Sequence, residues 1–483
     1  TKPLNVCSEL GYTEVVRFLL QNGADPSMND NAVTALIAAS YAHLDIVCIL
    51  LQSGAQVDTV ALNQASTQRR WDIVQVLLQK SSFSVLCEWI TDGLEFALED
   101  GRLEIVQILL ETWTNLGGAQ FPLHHLMVTA SERGQSNIVR LLLEHGANVN
   151  AATKNYNVLC AASFHGHVEV IQVLLEKGVE VNAMSGRYGS ALQAASVRGN
   201  IGICRVLIKH GAEVNAVGGE YGSALQAASV EGNLDICRLL LENGANINAP
   251  GGEYGSALQT ASRGGNMEIF RLLLENGANV NSPGGRFGSA LQVASFHGCI
   301  EFVELLLENG AEVNAAGGEY GNVLQAASLR GNMEIVELLL ENGAEINAAG
   351  GRYGSALQVA SIHGRVEFVQ YLLQHSADVN AAGGVHGNVL QAAAHHGHHT
   401  TVQLVIEHGA EVNAVGGEYG SALQAASVEG NLDICRLLLE NGAEVNAAGG
   451  RYGSALQAAS ANSCVAVVRF LLEQGADVNA FGG

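Results

Sequence analysis

Histidine is the residue type whose grouping could most readily do chemistry. His395, His396, His398 and His399 surround Gly397, with His363 and His386 close by in sequence. Clustered imidazoles can hold a divalent metal or titrate near neutral pH. The spacing straddles what reads as a turn between two helices, and no cysteine or carboxylate completes a recognisable zinc pattern. The expectation is therefore no metal site and no cofactor. The nine cysteines are odd in number and include no C-x-x-C pair, and Cys204, Cys237 and Cys435 hold one recurring helix position beside Ile. Buried, reduced thiols are expected from that usage. Nucleophile elbows, phosphate-binding loops and metalloprotease motifs do not occur. Carboxylates such as Glu242 and Glu275 recur at a fixed spacing instead of forming the unique cluster that catalysis needs. The sequence is expected not to encode an enzyme.

Charge narrows the partners. The 24 Lys plus Arg stand against 47 Asp plus Glu, a formal charge of −23, and such a surface repels phosphate backbones and anionic lipids. No nucleic acid and no membrane insertion are expected. Apolar runs such as Val206–Ile208 and Leu239–Leu241 fall far short of the roughly 20 residues that a membrane-spanning helix requires. Together with the reduced thiols, the lack of an N-x-S/T sequon and the lack of a leader-like start at Thr1, this points to a cytoplasmic, intracellular setting.

The elements that position these residues are repeats. Gly189, Gly222, Gly255, Gly288, Gly321, Gly354, Gly387, Gly420 and Gly453 are spaced 33 residues apart without a gap, each followed by a relative of S-A-L-Q-A-A-S. Aligning on the Gly-Asn turn extends drifted copies back to Leu4 and gives 15 units, with Ala42, Arg69 and Ser463 at the turn where the others carry Gly. Within a unit, Ser223 is placed to cap a first helix, and Leu225 with Ala228 offers a narrow apolar face. Ile236, Leu239 and Leu240 mark a second amphipathic helix, and Gly244 supplies a left-handed stop. The glycine-rich N-A-x-G-G-x-Y-G stretch suits a projecting hairpin. Units this small cannot bury a core alone, so they must stack into an all-α repeat solenoid.

The period, the S/T-x-L helix start, the A-A pair, the G-N/H turn, the hydrophobic-Leu-Leu run and the G-A-x-V-N ending together resemble the ankyrin repeat. That resemblance implies helix-turn-helix units with projecting β-hairpins, a curved array with a concave groove, and binding of a protein partner. Where the family's first helix opens T-P-L-H, Ser223-Ala224-Leu225-Gln226 stands here, and Gln226 is expected to replace the family's His as an inter-repeat bridge. The G-G-x-Y-G-S-A-L-Q-A-A-S wording is similar to the near-identical arrays of filamentous-fungal NACHT/STAND, NLR-like receptors. In keeping with arrays that expand by recombination, His210–Ala245 is identical to His408–Ala443.

Copies within the chain differ in few columns. The hairpin residue before Tyr reads Arg187, Glu220, Glu253, Arg286, Glu319, Arg352, Val385, Glu418 and Arg451. The pair ending the first helix reads Val197/Arg198, Val230/Glu231, Arg263/Gly264, Phe296/His297, Leu329/Arg330, Ile362/His363, His395/His396, Val428/Glu429 and Ala461/Asn462. By the resemblance, both columns line the groove, where an apolar residue beside a polar one would supply an anchor with charged selectivity. The Tyr column of the hairpins is expected to pack hairpin on hairpin. Residues 1–150 are read as divergent repeats, with an irregular stretch at about 58–125 holding Trp71, Trp89 and Trp113, and 151–483 as regular repeats of one continuous solenoid. A fragment of a longer protein, monomeric by itself, is expected. Three roles fit: the recognition arm of a larger receptor, a passive scaffold for several partners, or an elastic spacer.

Overall fold

Cap chemistry starts every regular repeat. Ser223 Oγ accepts the Gln226 N–H at 3.3 Å, and Ala224–Val230 is helical. In the repeat of Ala290–His297 the Gln292 side chain also accepts the Ser289 N–H at 2.7 Å, completing a capping box that satisfies two helix-end donors at once. A turn then leads into a second helix of nine residues, Leu234–Glu242, which Gly244 ends at a φ of +80°. The computed structural model describes residues 2–28, 34–115 and 123–479. Among them are thirty helices, hence fifteen pairs, and no strand. The protein is an all-helical repeat solenoid whose first helices stack on first helices and second on second. It divides into two units, Thr1–Glu213 and Val214–Gly483. Among the described residues no helix is long and apolar enough to cross a membrane.

The first helices are more buried than their sequence pattern suggests. Instead of one narrow apolar face, Ala224, Leu225, Gln226, Ala227, Ala228 and Ser229 are all buried. Each first helix is enclosed by its own second helix and by first helices on either side, and alanine is what lets them approach. Both polar positions are bonded at a donor: Ser229 Oγ donates to the Leu225 carbonyl at 2.7 Å and Gln226 Nε2 to the Gly251 carbonyl at 3.0 Å, while the buried Oε1 of Gln226 has no protein partner. Gln side chains bridge repeats. Gln259 Nε2 donates to the carbonyls of Gly284 at 3.1 Å and Gly288 at 2.9 Å. An asparagine column forms a second bridge: Asn281 Nδ2 donates to the Gly310 carbonyl at 3.0 Å while its Oδ1 accepts the Glu312 N–H at 2.8 Å.

The hairpins are turns closed by single bridges, such as Gly284 with Gly288 and Gly317 with Gly321. A reversal of five residues has room for one paired step, so the expected β-hairpins carry no strand. Glycine is required for nesting: at Gly351, where φ is +59°, a Cβ would lie 2.8 Å from both Tyr320 C and Gly321 N of the preceding hairpin.

In the first unit the tryptophans sit where the pattern breaks. Only Ser81 and Ser82 separate the helices Trp71–Lys80 and Phe83–Glu99, so no hairpin fits between them. Trp89 is fully buried and donates from Nε1 to Asn63 Oδ1 at 2.7 Å, and Trp71 donates to Asp100 at 2.8 Å. Trp113 is half-buried on Leu103–Asn115. Arg69, at the turn position that most copies give to Gly, is held at a φ of +56°. Residues 116–122 of the irregular stretch lie outside the described residues.

Candidate partner-binding face

Two varying columns meet on one face. In the unit Val214–Gly483 the residues before Tyr form a backbone ladder from hairpin to hairpin. Arg286 N donates to the Glu253 carbonyl at 2.8 Å, Glu319 N to Arg286 at 2.8 Å, Val385 N to Arg352 at 3.0 Å, Glu418 N to Val385 at 3.1 Å and Arg451 N to Glu418 at 2.9 Å. That ladder brings side chains 33 residues apart in sequence into register, so opposite charges pair. Arg286 lies between Glu253, 3.9 Å away, and Glu319, to which its Nε donates, and Arg451 Nη1 reaches Glu418 at 2.8 Å. Glu319 is held below the usual carboxylate range, chiefly by the hydrogen bond from Arg286. These ion pairs are solvated and contribute little stability.

Behind the charges runs an aromatic layer. Tyr254 stacks on Phe287 with centroids 5.9 Å apart, and Tyr320 stacks on Tyr353 at 6.4 Å. The helix-end column joins that layer: Phe296 stacks on Tyr320 at 5.0 Å, and Leu329 packs against the same cluster. The guanidinium of Arg263 lies 4.3 Å from the Tyr254 centroid and that of Arg330 lies 4.8 Å from Phe296, both within cation–π range. His297 sits between these two arginines, and burial, reinforced by both, pushes its imidazole below the ordinary value. In the unit Thr1–Glu213 the same layer appears separately, with Phe164 4.4 Å from Tyr188, Arg198 over Phe164 at 4.9 Å and Arg187 over Tyr188 at 5.6 Å.

Exposure sorts the two columns. Arg187, Glu220, Glu253, Arg286, Arg352 and Arg451 are exposed, while Glu319 and Glu418 are half-buried. In the helix-end pairs Arg198, Glu231, Arg263, Arg330, His363, His396 and Glu429 are exposed, and Val197, Val230, Phe296, His297, Leu329 and His395 are half-buried. Ile362 and Val428 are only 7% and 8% exposed. The apolar members are therefore packed partly or wholly into the array. What the face offers outward is charge, imidazole and guanidinium over an aromatic base. Alternation of sign at 33-residue spacing, as in Arg286 with Glu319 and Glu418 with Arg451, was the signal for the ion-pair ladder. The stacking of two helix-end rings on an aromatic 24 positions later, Phe296 on Tyr320 and His395 on Tyr419, had no local signature.

The histidines divide into structural and clustered ones. His398 Nε2 bonds the Ile362 carbonyl at 2.9 Å, so it ties repeats together. His386, on the hairpin, lies with His395 and His396, one ring nitrogen of each within 4.8 Å of the others. Chain spacing alone does not reveal this trio, because the hairpin folds His386 back onto the helix end. Burial lowers the imidazole of His386, and burial with the neighbouring rings brings that of His396 to about 4. Both rings are neutral at pH 7. Elsewhere, burial raises the thiols of Cys204, Cys237 and Cys435 to about 11, so they are unreactive packing groups.

A family described as "Ankyrin repeats (3 copies)" matches residues 1–61, 94–185, 183–251, 250–317, 318–383 and 390–481. The chain belongs to the ankyrin repeat family. The stretch 62–93 between matched segments contains Trp71, Trp89 and the hairpin-free junction. Ankyrin repeats are generally protein–protein interaction modules on a non-catalytic fold. No curated protein matches the sequence.

Proposed function

We propose that this ankyrin array recognises a protein partner on the face made by its hairpin tips and first-helix ends, as the recognition arm of a larger receptor. One observation carries the reading. Among near-identical copies both columns of this face vary in charge and side-chain type and most of their polar members are exposed, whereas the exposed second-helix ends such as Glu242-Asn243 change far less; one outer column, from Arg205 and Arg238 to Glu304 and Gln370, also varies. Exposed Arg, Glu and His above a packed aromatic layer suit a polar protein surface read by charge-assisted hydrogen bonds and guanidinium stacking. The receptor role, resembling fungal NACHT/STAND arrays, is supported by the identity of His210–Ala245 with His408–Ala443. An intracellular setting is supported by the nine free cysteines.

A scaffold role is the second reading. It is favoured by a separate concavity of about 280 Å³ in the first unit, lined by Asn63, Thr67, Asp92, Glu95, Phe96 and Glu99. Affinity capture discriminates between the readings when the wild-type array is compared with a variant carrying Ala at Arg263, Arg330, His363, His396 and Glu429. These side chains are exposed, so the variant should fold. A partner held by the wild type and lost from the variant supports recognition by this face. Identical captures move the partner to another surface, and no capture at all favours a spacer.

A further inference from the structure

One regular repeat departs from the rest in three columns at once. His386 stands where eight other hairpins carry Tyr or Phe, and His395 and His396 fill both variable positions ending Val389–His395. The fold gathers them: ring centroids are 5.4 Å apart for His386 and His395, 5.1 Å for His386 and His396, and 4.8 Å for His395 and His396. We propose that His386, His395 and His396 form a binding site for one divalent transition-metal ion of the zinc type. It goes beyond partner recognition and does not depend on it.

The chemistry favours such an ion over calcium or magnesium. Three imidazoles are borderline-soft nitrogen donors, which suit zinc, copper, nickel and cobalt and not the oxygen-seeking ions. Three protein ligands with a fourth position open to solvent is an established zinc arrangement. Tetrahedral zinc with bonds of about 2.0–2.1 Å would bring the ring nitrogens to roughly 3.3–3.4 Å from one another. The present separations, up to 4.8 Å, close to that by side-chain rotation, and His396 is exposed and so reachable from solvent. Nδ1 of His386 is buried with no protein hydrogen-bond partner, a donor atom that the fold leaves unused. His395 Nδ1 is likewise buried without a hydrogen-bond partner, and the Glu429 carboxylate 3.6 Å from it would have to move closer to accept the ring N–H and orient a ligating imidazole. His395 Nε2, now 3.3 Å from the Tyr419 hydroxyl, would exchange that bond for the ion. His398 is excluded because its Nε2 is committed to the Ile362 carbonyl.

The repeats supply their own controls. His386→Tyr installs the residue found at Tyr419, and His395→Val with His396→Glu installs the pair found at Val428 and Glu429, so each variant carries side chains that this fold already accommodates. The whole chain is titrated with Zn²⁺ by calorimetry and with Co²⁺ by visible absorption at neutral pH, and circular dichroism confirms that all three proteins are folded. The wild type should bind one equivalent with the intense visible bands of tetrahedral cobalt. Affinity should fall at least about tenfold in His386→Tyr and further in the double variant, in line with losses seen when a metal's surroundings are cut. Excess Zn²⁺ should raise the unfolding temperature of the wild type more than that of either variant. A wild type that takes up no ion beyond what the double variant retains, or an undiminished affinity in His386→Tyr, overturns the assignment.

Discussion

Gln292 shows how much one side chain carries in this array. Its Oε1 accepts the Ser289 N–H, and its Nε2 donates to the Gly317 and Gly321 carbonyls of the next hairpin at 3.1 and 3.3 Å. Gln292→Ala would leave the Ser289 N–H and the Gly317 carbonyl without these partners, while the Gly321 carbonyl would keep the Gly317 N–H at 2.8 Å. We predict a local cost of about 2 kcal/mol, within the range for unsatisfied buried polar groups, read as faster hydrogen exchange of the Gly317–Gly321 hairpin amides. Unchanged protection there would show that water replaces the bridge. His297 gives the array a pH response. Burial, with Arg263 and Arg330, lowers its imidazole from the ordinary 6.5, so the folded state holds the ring neutral while the unfolded state takes up a proton below about pH 6.5. Its contribution is thus complete above pH 6.5 and declines as pH falls toward the depressed folded value. Urea unfolding at several pH values should show less acid destabilisation in His297→Gln than in the wild type.

At the scale of elements, helices and hairpins were not equally legible. Ser caps, the Leu stripe and the Gly244 stop are local, so the helix pairs could be read directly from residue spacing. The enclosure of the first helices on all sides could not, because it depends on neighbours 33 residues away. Hairpin nesting is the same kind of fact: Gly351 looks like a turn residue in sequence, yet its lack of a Cβ is demanded by the backbone of Tyr320 and Gly321. Gly351→Ala combines that collision with a strained positive φ. It should cost about 1–3 kcal/mol and loosen the hairpin while leaving the helix Met333–Glu341 protected in hydrogen exchange. Equal loosening of that helix would mean that hairpin and helices unfold as one.

Over the whole molecule, stability is carried from neighbour to neighbour, as in any stack of small repeats. Leu306 is fully buried, and Leu306→Ala should cost about 3 kcal/mol. Hydrogen exchange should accelerate most in its own repeat and the adjoining ones and fade toward Gly453. A uniform rise across Val214–Gly483 would instead show that this unit unfolds in a single step. The sequence by itself determined the architecture, the repeat count and the family, because caps, stops and apolar periodicity are local and recur at every period. It also singled out the columns in which copies differ, on which the proposed face rests. Only the tertiary structure decided what those columns do. Bridging between repeats paired Arg286 with Glu319, drew the apolar helix-end residues inward against the hairpin aromatics, and folded His386 onto His395 and His396. Such contacts join residues that no local pattern connects, since their distance is set by how one repeat packs on the next.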